Sequence, residues 1–134
     1  MLALAGCGGG RLSHGALVKR AGAVCTAYLA QTGEPVPHPR SYAQIVAFVN
    51  RTLPLYEAAL RKLEALKPSH LDEADFDSWL AADRQAAAAL RALGLAGERH
   101  DYPGTTAAVV RLQQAALASR TAAESLGVTA CSAG

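Results

Sequence analysis

The sequence predicts an all-α protein, an up-down-up-down four-helix bundle. Alanine, the strongest helix former, accounts for 30 of the 134 residues. Residues that favour strands are sparse and rarely alternate with polar ones. Apolar residues instead recur at intervals of three and four in four stretches joined by short connections, which is typical of antiparallel helices in a bundle. A chain of this length fits one domain with its own core.

The first helix is predicted from Ser13 or Ala16 to Thr32. Gly33 follows as a C-terminal glycine. Residues 34–39 carry alternate prolines, which exclude helix and favour an extended crossover loop. The expected core face of this helix is Val18, Ala21, Cys25 and Tyr28.

The second helix has the clearest pattern in the chain. Ser41 can cap its N-terminus, and Pro68 ends it. Pro54 removes one backbone hydrogen bond inside the helix, so a kink is expected there. Apolar residues repeat at four-three spacing, as in a coiled-coil seam. They are Tyr42, Val46, Val49, Leu53, Tyr56, Leu60 and Leu63.

The third helix is predicted to open at Ser69 with a start that resembles a capping box, in which Asp72 replaces the usual Glu or Gln. Several acidic residues crowd its first two turns, where they complement the positive end of the helix dipole. A cation site is the alternative interpretation of these residues, Asp72, Glu73, Asp75 and Asp77. The expected core stripe is Phe76, Trp79, Leu80, Ala86, Ala87, Leu90 and Leu93.

The fourth helix is predicted to follow a glycine-rich connection over residues 94–104. Gly127 ends it, and the tail to Cys131 is expected to turn back onto the first helix. Its predicted core face is Thr105, Val109, Leu112, Ala116, Ser119, Ala123 and Leu126.

Asp83 interrupts the core stripe of the third helix. It follows Trp79 by four residues and precedes Ala86 by three, where an apolar side chain is expected. A buried carboxylate must be paired, hydrogen-bonded or protonated. We expect Asp83 to lie at the edge of the stripe and to pair with Arg51 or Arg111. A role in proton transfer or ligand binding is the alternative, which makes Asp83 the foremost candidate for a functional residue.

Other chemistry finds little support in the sequence. The net charge of +2 is spread along the chain, so no basic stripe indicates nucleic-acid binding. No nucleophile, phosphate-binding or haem-attachment motif occurs, and no cofactor is expected. The four histidines lie in predicted loops or at helix ends without metal-ligand spacing, so no metal site is expected. They are His14, His38, His70 and His100.

The N-terminus differs in composition from the rest of the chain. Leu4-Ala5-Gly6-Cys7 resembles the lipobox of bacterial lipoproteins, and three glycines follow it as a flexible tether would. This resemblance implies that Cys7 carries diacylglycerol and becomes the first residue of the mature protein. Only six residues precede Cys7. Residues 1–12 are therefore expected to be a signal-peptide remnant with its tether, and residues 13–134 the bundle domain.

Three cysteines leave the pairing open, since any two could form a disulfide. The chain as a whole resembles small Ala/Arg-rich helical lipoproteins of actinobacteria-like genomes, which place a Cys in the first helix and end in Gly-x-x-x-Cys, here Gly127 to Cys131. With Cys7 acylated, this resemblance implies a disulfide between Cys25 and Cys131 and an oxidising compartment. Two separate buried thiols are the alternative.

These observations predict an exported protein anchored to the outer face of the bacterial cytoplasmic membrane through its lipid. The leading hypothesis is a non-enzymatic module that presents a bundle face to a protein partner. A bundle that binds a small apolar ligand is the second hypothesis. An enzyme that uses Asp83 with a loop histidine is the third.

Overall fold

The computed structural model describes residues 10–32 and 40–132, and the all-α four-helix bundle is confirmed. Each helix runs antiparallel to the next, and a short 3-10 turn follows the last. The elements are α1 (His14–Thr32), α2 (Tyr42–Glu64), α3 (Glu73–Glu98), α4 (Tyr102–Leu126) and the 3-10 turn (Thr129–Cys131). None of the described helices is long and apolar enough to cross a membrane.

Local signals set most of the helix ends. The Ser41 hydroxyl accepts a hydrogen bond from the amide of Gln44 at 3.2 Å, which confirms the predicted cap of α2. Asp101 caps α4 in the same way, through the amide of Gly104 at 3.0 Å. Gly127 ends α4 with a φ of 81°, a left-handed conformation that glycine adopts without steric cost.

The start of α3 differs from the predicted capping box. The helix begins at Glu73, and its N-cap residue Asp72 makes no capping hydrogen bond through its side chain. The Ser69 hydroxyl instead donates to Oδ2 of Asp72 at 3.3 Å, because these residues form a turn that precedes the helix. Glu73 and Asp75 do lie in the first turn, where the helix dipole favours negative charge. The described residues contain no group of three side chains able to hold a metal ion.

The predicted connection over residues 94–104 is largely wrong, because α3 continues through Gly94 to Glu98. A Cβ at Gly94 would lie 2.9 Å from Cγ1 of Val49 on α2, and Gly97 also faces α2 closely. These glycines therefore let two helix backbones approach each other and do not end the helix. The connection to α4 is only three residues long and includes His100, which has a φ of 52°.

The core is divided into two clusters. The larger one joins all four helices and the tail that follows α4. Its buried members are Leu17, Ala21, Leu60, Leu63, Phe76, Trp79, Leu80, Ala87, Ala123, Leu126 and Val128. The smaller one holds Ile45, Val49, Leu93 and Ala108 at the other end of the bundle. Every residue of the predicted α3 stripe is buried. On α4 the predicted core residue Ala116 is exposed, and its neighbour Ala115 is buried instead.

The helices do not pack equally around the bundle. α3 lies against both α2 and α4 along its length, whereas α1 packs on α2 and on the 3-10 turn, which also contacts α4. A disulfide joins Cys25 of α1 to Cys131 of that turn, with Cα atoms 5.2 Å apart and a sequence separation of 106. This bond confirms the implied pairing, and it ties the two ends of the described chain together.

Replacing both bridging cysteines with alanine should lower the free energy of unfolding. A crosslink that closes a loop of this length is worth up to about 4–5 kcal/mol on the chain-entropy model. Urea unfolding followed by circular dichroism measures the change. The wild-type protein in reductant should unfold at the same midpoint as the double variant, and an unchanged midpoint in both would contradict the structural role of Cys25 and Cys131.

Gly94→Ala should destabilise the bundle by about 1–3 kcal/mol, the usual cost of overpacking a core. Its Cβ would meet Val49, whose β-branched side chain is stiff and buried. Gly22→Ala is the matched control, because the nearest atom to its Cβ would be 4.0 Å away. That variant should be stabilised by about 0.5–1 kcal/mol through helix propensity. Equal effects in the two thermal unfolding curves would contradict the tight α2–α3 contact.

Candidate functional site

Asp83 lies inside the bundle, with 6% of its surface exposed. Its Oδ1 accepts a hydrogen bond from the Tyr56 hydroxyl at 2.9 Å and another from the Ser119 hydroxyl at 2.5 Å. The expected pairing with Arg51 or Arg111 is therefore wrong. Both arginines are exposed on the outer sides of α2 and α4, and hydroxyl groups on the inward faces of these helices reach the carboxylate instead.

The hydrogen bonds to Asp83 belong to a chain that crosses three helices. The indole Nε1 of Trp79 donates to Oγ of Ser119 at 3.1 Å, and Ser119 donates onward to Asp83. Tyr56 completes the chain from α2. Among the described residues, no buried side-chain nitrogen or oxygen lacks a hydrogen-bond partner. The polar groups in this core are thus satisfied, which is the condition for burying them without a large penalty.

Burial is the main cause of the shifted pKa values of Asp83, Tyr56 and Tyr28. It raises the pKa of Asp83, and the hydrogen bonds from Ser119 and Tyr56 oppose this by favouring the ionised form. Burial also raises the pKa of Tyr56, and the neighbouring charge of Asp83 raises it further. The pKa of Tyr28 is raised by the same two causes in the same order. Both phenols are therefore protonated at neutral pH, and Tyr56 is available as a donor.

A cleft of about 140 Å³ opens beside this hydrogen-bond chain. Its lining comes from all four helices and the 3-10 turn, and it is mostly apolar. The residues are Val24, Cys25, Tyr28, Leu29, Tyr56, Ala59, Leu60, Leu63, Trp79, Asp83, Ser119, Ala130 and Cys131. Leu60, Leu63, Trp79 and Asp83 are buried and form its floor, whereas Leu29 is exposed at its rim. The disulfide forms part of one wall.

The packing of α1 explains the position of the cleft. In the described part of the chain, α1 and α4 make few direct contacts with each other. The short 3-10 turn contacts both helices. Small side chains at Ala59 and Ala130 leave space that larger residues would fill. The rings of Tyr28 and Tyr56 pack edge to face with centroids 5.7 Å apart. This contact fixes the positions of the two phenols beside the opening of the cleft.

The two oxygens of the Asp83 carboxylate differ in their hydrogen bonding. Oδ1 receives both hydroxyl donors, and Oδ2 has no hydrogen-bond partner among the described residues. Every described side-chain oxygen that is sealed from solvent has a partner. Oδ2 must therefore retain contact with solvent, and Asp83 lines the cleft. Oδ2 is thus an acceptor of this polar cluster that no described side chain occupies.

The described histidines do not join the site. Nδ1 of His14 lies 3.1 Å from Oδ2 of Asp72, and Nδ1 of His70 lies 3.3 Å from Oε2 of Glu73. The ring of His100 stacks on that of Tyr42, with centroids 4.7 Å apart. None of these three histidines is a partner of Asp83. His38 and the predicted lipidation site Cys7 lie outside the described residues.

Comparison of the chain with protein-family models, with curated proteins and with solved structures finds no match. The site is therefore interpreted from its own chemistry.

The sequence contains a signal for this site that lies outside any known motif. Tyr56 and Ser119 each lie on the predicted core face of a helix, within an otherwise apolar pattern. A polar group on the interior face of three successive helices is uncommon, since each one requires a buried partner. The coincidence of Tyr56, Asp83 and Ser119 could have indicated that the three groups bind one another.

Asp83→Asn should remove a pH dependence from the stability of the protein. The native pKa of Asp83 lies above the unfolded value of about 4. Between these two values the native state holds the extra proton, so wild-type stability falls as the pH rises through that range. Asparagine retains an oxygen that accepts from Tyr56 and Ser119 but carries no charge.

The free energy of unfolding of the Asp83→Asn variant, relative to wild type, should therefore increase with pH in urea titrations from pH 4 upward. Asp77→Asn is the control, because Asp77 is an exposed carboxylate on the same helix. A difference between Asp83→Asn and wild type that stays constant with pH would contradict the burial of a raised-pKa carboxyl group.

Proposed function

We propose that this protein binds a small, largely apolar molecule in the cleft beside Asp83. The observation that carries the proposal is the combination of an apolar lining with one polar cluster on the cleft floor. Ligand sites in proteins usually combine an apolar enclosure with a few polar groups that orient the ligand. Tyr56 and Ser119 hold the carboxylate in one orientation, so this orienting group is already in place before a ligand arrives.

The volume of the cleft limits the size of the ligand. At about 140 Å³ it is close to the engineered cavity of ~150 Å³ that binds benzene. One aromatic ring or a branched aliphatic group of similar size would fill it. The exposed rim at Leu29 would let a longer ligand extend into solvent.

We also propose that the protein acts outside the cytoplasm, anchored to the outer face of the cytoplasmic membrane through Cys7. The Cys25–Cys131 disulfide supports an oxidising compartment, and the lipobox-like run supports the anchor. A binding role is preferred to an enzymatic one because no described histidine contacts Asp83. The anchored bundle would then hold its ligand at the membrane surface.

Ligand binding can be followed through Trp79, the only tryptophan in the chain, which lines the cleft. Toluene should shift the indole N–H resonance of Trp79 in NMR spectra and change its fluorescence, with saturation. Ala59→Leu should abolish these effects, because the larger side chain fills the cleft. Ala47→Leu, at an exposed position of the same helix, should leave them unchanged. Equal responses in both variants, or no response in wild type, would contradict the proposal.

A protein-interaction module is the second candidate, and the surface of α4 favours it. Val110 and Leu117 are 46% and 63% exposed and lie seven residues apart, on one face of the helix. Exposed apolar residues that share a face are typical of docking sites for a partner. A photo-reactive side chain at position 117 should crosslink one defined envelope protein, whereas the same group at the exposed Asp77 position of α3 should not. Identical products from both positions would contradict this candidate.

A further inference from the structure

We propose that the ligand of this cleft carries a cationic amine or ammonium group, which binds Oδ2 of Asp83. This inference rests on the proposed ligand-binding function and specifies the chemical class of the ligand. It starts from a buried carboxylate that lacks a basic partner. In the described part of the chain, the ion pairs of Arg11, His14, His70, Arg84 and Arg91 are made with other carboxylates, and none of them includes Asp83.

The lining of the cleft supplies no positive charge either. It contains no lysine, arginine or histidine, and Asp83 is its only carboxylic acid. A carboxylate in such surroundings repels anionic ligands and must be desolvated by neutral ones. A ligand that brings its own cation supplies the missing charge at the place where the protein offers a free acceptor oxygen.

The two hydroxyl groups prepare the carboxylate for this contact. Tyr56 and Ser119 both donate to Oδ1, which stabilises the ionised form and fixes the plane of the carboxylate. Oδ2 is left with lone pairs that can accept from an N–H donor of the ligand. Hydrogen bonds between a cationic donor and a carboxylate are about twice as strong as those between neutral groups.

Aromatic side chains add a second preference for a cation. Tyr28, Tyr56 and Trp79 all line the cleft, which is a high share for a chain with only seven such residues. Cations are attracted to the faces of aromatic rings, and tryptophan provides the strongest attraction. The apolar residues around these rings would enclose the body of the ligand. The chemistry of the cleft thus fits a small amine with an aromatic or branched aliphatic body.

Four probes of similar size test this inference, namely benzylamine, benzyl alcohol, toluene and benzoate. They differ mainly in the charge and hydrogen-bonding capacity of one substituent. On the wild-type protein near neutral pH, benzylamine should bind about tenfold more tightly than benzyl alcohol. Toluene should bind weakly, and benzoate should not bind. Titrations followed by the Trp79 indole resonance give the four affinities.

Asp83→Asn should reduce the preference for benzylamine over benzyl alcohol to near unity. It should leave the affinity for toluene unchanged, since the shape of the cleft is retained. A preference for benzylamine that persists in Asp83→Asn would place the cation elsewhere and overturn the inference. The wild-type protein provides a readout that does not depend on a variant. The carboxyl ¹³C resonance of Asp83 should shift on adding benzylamine and should respond little to toluene.

The outcomes separate this inference from the function on which it rests. If benzyl alcohol binds as tightly as benzylamine, and both are blocked by Ala59→Leu, the ligand-binding function stands and the cationic ligand is excluded. If none of the four probes binds, both proposals fail. If benzylamine binds more tightly than benzyl alcohol and toluene, and if this preference is lost in Asp83→Asn while all binding is lost in Ala59→Leu but not in Ala47→Leu, both are supported.

Discussion

Because α1 and α4 share few contacts, the bond between Cys25 and Cys131 closes the bundle on that side. The three longer helices form a continuous layer in which α3 packs against both neighbours. The shorter α1 lies against α2 and against the tail after α4, and His14 at its start also contacts Asp72 before α3. That tail is short, but it buries Val128 and carries the cysteine that fixes its position. A covalent constraint here replaces an extended helix–helix interface, and the space that remains between α1 and α4 is the cleft.

Whereas the disulfide closes the bundle, the hydrogen-bond chain around Asp83 specifies how α2, α3 and α4 pack against one another. Satisfied buried polar groups add little net stability, but they penalise every arrangement in which a member loses its partner. Tyr56, Asp83 and Ser119 can meet only when α2, α3 and α4 hold one rotation and one axial position relative to each other. An apolar side chain at position 83 would tolerate small slips between these helices. The carboxylate therefore specifies the packing of the layer while leaving one oxygen toward the cleft.

The sequence predicted the elements of this fold well, because their signals are local. Apolar spacing of three and four residues, Ser41 as a cap and Gly127 as a terminator each act within one or two turns. Gly94 misled the prediction for a physical reason. A glycine that ends a helix and a glycine that admits a neighbouring helix have the same propensity, and only the partner, here Val49, distinguishes them. Similarly, α4 carries alanines on several of its faces, so apolar spacing alone does not distinguish Ala115 from Ala116. The predicted core residue is Ala116, whereas the buried one is Ala115.

The site could be predicted only in part. The interruption of the stripe identified Asp83, but its partners depend on how two other helices are rotated, which the sequence does not contain. Its charge favours an arginine partner, whereas in the structure its partners are the hydroxyl groups of Tyr56 and Ser119, two residues of the predicted core faces. The sequence carries no local signal for the cleft, because the cleft is the space that remains where α1 and α4 do not pack against each other.

The disulfide makes the shape of the cleft depend on the redox state of the protein. Ala130 and Cys131 form part of the cleft wall, and they remain there because Cys131 is bonded to Cys25. Without that bond, only noncovalent packing would hold the tail against α1. The wall could then separate from the phenols and the carboxylate opposite it. Asp83 would then contact bulk water, where it needs neither the hydroxyl partners nor a ligand to be ionised. The polarity of the site, and with it any preference for a cation, therefore depends on a bond that forms and persists only under oxidising conditions.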